Sequence, residues 1–152
     1  MSEEKEFNVA PVKEQIVVIT TDAPPEHIYK RAQELFGDRV NFEKGTVFTY
    51  GYTIHIFDKS KMNVPLYHHE TKHCFQQAKY ESPDAWWERY FTDVEFRKQQ
   101  EFEAYERQIK SIKKHIKDRN RQVIYIHYIQ KDFASSMYGN MVTLEESRRL
   151  LK

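Results

Sequence analysis

The sequence predicts an α+β fold, with a small N-terminal β-sheet packed on a helical half. Three observations carry this reading. Short β-branched and aromatic runs crowd residues 15 to 57, apolar residues recur at helical spacing from residue 66 onward, and most helical stretches open on a capping residue. At 152 residues the chain fits one domain, expected over 12–152 behind a charged, aperiodic flexible arm over 1–11. A domain of this size buries roughly 70% of its unfolded surface, enough for one core without staples. Cys74 is the only cysteine, so no internal disulfide can form, and a reducing compartment fits.

The first element is "QIVVIT" (15–20), a β-branched run read as a strand. In "TTDAPPEHIYKRAQELFG", Asp22 or Thr21 caps, Pro25 suits a first turn and Gly37 stops the helix. Ile28, Ala32 and Phe36 share one face, which predicts a helix over about 25–36. "RVNFEKGTVFTYGYTIHIFD" (39–58) reads as a hairpin turning at Glu43-Lys44-Gly45, with a long alternating second arm from Val47 to Phe57. Pro65 opens the next helix, "PLYHHETKHCFQQAKY". Ser82 caps and Pro83 begins a helix to about 92, and a longer one follows over about 93–117. "QVIYIHYIQKDF" reads as a helix with Val123, Ile126, Ile129 and Phe133 inward. Thr143 and Glu146 form a capping box for a short C-terminal helix.

Charge excludes some function classes. The net value is +1, so no strong field points to nucleic acid or a membrane surface. The basic run "RQIKSIKKHIKDRNR" reads as a solvated helix face, its field largely cancelled by the acidic residues before it. No stretch nears the roughly 18 apolar residues of a membrane span. The acidic start "MSEEKEFNVAPVKEQ" lacks the apolar centre of a signal peptide, so the expected location is the cytoplasm.

The chemistry concentrates in "HETKH", which is H-E-x-x-H at His69, Glu70 and His73. Histidines four apart stack one helical turn above each other and can converge on one ion at about 2.0–2.1 Å. Glu70 points around the helix edge, where it can take a proton from an activated water without being a ligand. Zn2+ is the expected ion, since imidazole and carboxylate suit it. The motif alone is weak, arising by chance in roughly 3% of such chains, and the plain alternative is an amphipathic helix with solvated histidines. A hydrolytic zinc also needs a third protein ligand and an open position. "QQEFEAYERQ", about 27 residues past His73, offers Glu101 and Glu103 beside the small Ala104. The two glutamates point about 200° apart on a helix, so only one can face the histidines.

H-E-x-x-H followed by E-x-x-A on a later helix resembles the gluzincin branch of zinc metallopeptidases, which includes thermolysin-like and prenyl-protein endopeptidase-like enzymes. The longer pattern is similar to short phage and bacterial metallopeptidase-like proteins. It reads His69, Glu70, His73 and Gln76, then "WWERYFTDVEF", then Arg97, Glu101, Glu103, Ala104, Tyr105 and Gln108. The resemblance implies a zincin-like fold, His69, His73 and Glu101 as ligands, and Glu70 as general base. It also implies an extended peptide or protein substrate added as a strand along the "TVFTYGYTIHIF" arm. A phage origin would place the protein in the host cytoplasm or the virion. Two positions depart from the pattern. Lys72 stands where uncharged residues are usual, and Tyr105 stands where the endopeptidase pattern has Asp.

Tyr105 is the first candidate for stabilising an oxyanion, with Tyr80, Tyr138 and His127 behind it. His68, about 100° from His69, reads as structural, and one of Gln76 and Gln77 is expected to hydrogen-bond the later helix. "WWERYF" reads as core and Cys74 as a buried, inert thiol. The expected function is zinc-dependent peptide hydrolysis. The alternative is a non-catalytic structural protein, such as a phage particle component, that keeps the fold and the zinc and assembles through the N-terminal arm.

Overall fold

A computed structural model describes residues 16–152, so the arm over 1–11, its assembly role and the first residue of the expected 15–20 strand lie outside the described residues. The described chain is α+β. Its strands are β1 (Val18–Thr20), β2 (Phe48–Tyr50) and β3 (Thr53–His55). Its α-helices are α1 (Glu26–Phe36), α2 (Val64–Ala78), α3 (Pro83–Thr92), α4 (Val94–His115), α5 (Arg119–Phe133) and α6 (Leu144–Leu150). Among the described residues no helix is long and apolar enough to cross a membrane.

The strand order is β1-β3-β2. β1 lies parallel to β3, with Ile19 against Ile54, and β2 is antiparallel to β3, with Thr49 against Ile54. The expected hairpin exists, but its turn is elsewhere. Glu43-Lys44-Gly45 folds the chain back only locally, the Thr46 N–H reaching the Asn41 carbonyl, and joins no two strands. There the Asn41 side chain accepts the Lys44 N–H, Phe42–Lys44 becomes a short 3-10 turn, and Phe42 goes into the core. The reversal falls at Gly51-Tyr52, because a two-residue hairpin loop needs positive φ at its first central position and Gly51 supplies it at +64°. The long alternating arm is thereby cut into two short strands.

Five of the six described α-helices begin where a side chain satisfies a free N–H; α1 does not, because its N-cap is Pro25, with no side-chain cap, so neither Asp22 nor Thr21 caps it as expected. Asn63 accepts from Leu66, Ser82 from Ala85, Asp93 from Phe96, Asp118 from Asn120 and Arg121, and Thr143 from Glu146. Asp93 alone separates α3 from α4, so the chain bends sharply there. The capping box at α6 is half made, since the Glu146 carboxylate goes to Lys98 at 3.1 Å. α5 is helical as expected with Ile129 and Phe133 inside, but Val123 faces solvent at 66% exposure. Val123 lies roughly 80° further around the helix than the inward stripe through Ile126, Ile129 and Phe133.

Two apolar clusters form the interior. One joins α1, the sheet and the aromatic residues of α3, so "WWERYF" is core as read. The other joins α4, α5 and the C-terminal segment. Met137 packs against both. Phe133→Ala is expected to lower unfolding free energy by about 3–5 kcal/mol, and Val123→Ala to change it by under about 0.5 kcal/mol, both read from denaturant midpoints.

Candidate metal centre

α2 packs along α4, and the two run antiparallel. Gln76 bonds the Gln100 carbonyl near one end, and the rings of His68 and His115 lie 6.1 Å apart near the other. This arrangement places Glu101 against the His69–His73 face. Fully buried Ala104 and Cys74 take up little room on the two helices. Glu101 Oε1 lies 3.3 Å from His69 Nε2 and 3.3 Å from His73 Nε2. All three side chains are buried. Glu103 turns away and pairs with the amides of Gln76 and Gln99.

The residues fit a metal ion. Four ligands at about 2.0–2.1 Å around a tetrahedral ion stand roughly 3.3–3.4 Å from one another, the spacing found here between oxygen and each nitrogen. Gln76 settles one tautomer. Its amide N–H groups point to Gln100 and Glu103, so its oxygen must accept the Nδ1–H of His73 at 2.8 Å. A neutral His73 then aims a lone pair from Nε2 at the carboxylate oxygen. Glu101 Oε1 is buried and receives no hydrogen bond. Such lone pairs face each other stably only with a metal cation or a proton between them. Burial resists charging His73, yet the Glu101 carboxylate outweighs it and raises the imidazole to about 9. Burial likewise pushes Glu101 up, but the attraction of His73 and His69 prevails and holds it below the usual carboxylate range. His69, His73 and Glu101 are therefore a group that could hold a metal ion.

Around the triad, Tyr90 donates to Glu101 Oε2 at 2.6 Å, fixing which oxygen faces the histidines. Thr49 donates to Glu70 Oε1 at 2.7 Å, while Glu70 Oε2 lies 3.9 Å from His69 Nε2, beyond the close set. Arg97, buried under the site, donates to the carbonyls of Tyr90 and Tyr138. Sequence reasoning missed the roles of Tyr90 and Thr49. A buried tyrosine needs a partner for its hydroxyl, which is the one signal Tyr90 carried; Thr49 carried none.

A cavity of about 330 Å³ borders the triad, lined also by Glu70, Tyr105, Tyr138 and the Arg39–Asp132 ion pair. That pair is about half exposed and marks where the cavity meets solvent. Tyr105 sets its ring 4.4 Å from that of His69 and its hydroxyl against that of Tyr138. Tyr80 instead accepts from Arg89 and does not line the cavity, and His127 is exposed. The outer edge of β2 is closed at Thr49, whose carbonyl accepts from Gln77 and Trp87, while the Gly51 N–H goes to Gln77. An added strand could therefore not bond the Thr49 carbonyl or the Gly51 N–H without displacing these partners. The other histidines have local partners: His27 meets Asp84, His55 the Asp22 carbonyl and His115 Ser111. Cys74 is buried, and burial with the nearby Glu70 charge pushes its thiol up to about 12.

No family model matches the chain, and no curated protein or solved structure matches it significantly.

Titration with Co2+ is expected to fill one site per chain, followed by visible absorption. His69→Ala, His73→Ala and Glu101→Ala should each abolish the signal, whereas Glu103→Gln should keep it.

Proposed function

We propose that the chain is a zinc-dependent metallopeptidase of gluzincin type, acting on a peptide or protein substrate. The observation that carries the reading is Glu70, a buried carboxylate held by Thr49 at the rim of a His-His-Glu triad and facing a cavity. Two imidazoles and one carboxylate leave one position of a tetrahedral ion open, the pattern of hydrolytic rather than structural zinc. When bound, zinc would supply Lewis acidity and bring water close to neutral ionisation.

The protein's own groups have separable tasks. Gln76 and Tyr90 orient His73 and Glu101. Glu70 Oε2, free of the Thr49 bond, accepts the proton of the attacking water and hands it to the departing amine. The hydroxyls of Tyr105 and Tyr138 carry two protons and their mutual bond uses one, which leaves one donor for the oxyanion that develops on the substrate carbonyl. Substrate enters from the half-exposed Arg39–Asp132 side of the cavity. The similarity of the H-E-x-x-H and E-x-E-A-Y segments to short phage and bacterial metallopeptidase-like proteins agrees with this reading.

Glu70→Gln is the deciding variant. Hydrolysis of a mixed peptide library should fall by about 10²–10⁴-fold while zinc content stays unchanged. Wild-type protein that holds zinc, melts lower on chelation and cleaves nothing would be a structural zincin-like protein instead.

A further inference from the structure

The site holds one more unmatched pair. His69 Nδ1 and Gln108 Oε1 are both buried without a hydrogen-bond partner. Both residues line the same cavity. Glu101, Tyr105 and Gln108 follow one another at i, i+4 and i+7 on one face of α4, and the first two both meet the His69 ring, so Gln108 is the next side chain along that face. Their chemistry is complementary. A neutral His69 that turns its Nε2 lone pair toward Glu101 carries its proton on Nδ1, a donor, and a carboxamide oxygen is an acceptor. The neighbouring Tyr105 presents its ring to His69, while its hydroxyl lies against that of Tyr138. The other carboxylate on that wall, Asp132, is drawn to Arg39. A glutamine already does this work for His73 in Gln76.

We propose that Gln108 is the positioning residue for His69, its Oε1 accepting the Nδ1–H across one water, so that two glutamines from opposite helices fix the two imidazoles. The inference rests on the metal-site reading for its purpose, but not for its hydrogen bond. Metal-ligating histidines almost always donate their second N–H, and loss of that partner weakens metal binding.

The test uses full-length protein. In the metal-free form, long-range proton–nitrogen spectra of the imidazoles should show His69 protonated on Nδ1. Gln108→Leu should shift that signal and leave His73 unmoved, which also reports an intact fold, while Gln76→Leu should move His73 alone. Zn2+ affinity by chelator competition should fall about 10–100-fold in Gln108→Leu and return in Gln108→Glu, which restores an acceptor. Asp132→Asn should change neither readout. An unshifted His69 signal in Gln108→Leu, or a shift caused by Asp132→Asn instead, overturns the assignment. Wild-type protein that takes up no zinc would defeat the metal reading, and the His69 spectra alone would then decide the role of Gln108.

Discussion

The structure turns on one carboxylate oxygen that lies 3.3 Å from two imidazole nitrogens inside the protein. Burying a carboxylate costs several kcal/mol unless a positive charge or several donors accompany it. Here Tyr90 serves the far oxygen and nothing donates to the near one. The cost of the arrangement is offset when a metal cation, or in its absence the proton of a charged His73, lies between these atoms. The local geometry is therefore a statement about charge as much as about packing.

The rest of the fold holds that point rigid. α2 carries both histidines and the Glu70 carboxylate, and α4 carries Glu101. Their relative register is pinned by Gln76 at one end. Tyr90 comes from the apolar cluster built on α1, α3 and the sheet, and Tyr105 from the cluster between α4 and α5. The site thus sits on the seam of the two clusters, and Arg97 ties the seam together by bonding backbone on either side of it. An aromatic-rich interior suits this purpose: large rings fill the seam with little rotamer freedom, and their hydroxyls reach the few polar atoms that need partners.

Much of this was legible in the residues. The helices were readable because their caps are local: Asn63, Ser82, Asp93, Asp118 and Thr143 each bond an N–H two or three residues ahead. The histidine pair was readable because four-residue spacing on a helix is a fixed geometry. The hairpin turn was misplaced because two glycines six residues apart both take positive φ, 118° at Gly45 and 64° at Gly51, and only Gly51 lies between segments that pair as strands. Val123 was misassigned because four apolar residues on one helix allow more than one stripe, and the partner helices choose.

From residue order alone came the α+β class, the helical segments, the paired imidazoles with their adjacent acid, and a short list of acidic partners downstream. These depend on contacts within a few residues, where spacing equals geometry. Tertiary structure decided that Glu101 and not Glu103 completes the triad, that Tyr90 orients its carboxylate and Thr49 that of Glu70, and that Gln77 and Trp87 take the Thr49 carbonyl on the β2 edge. Those outcomes follow from the rotation of one helix against another and from which side chains meet across tens of residues, and that information exists only once the chain has packed.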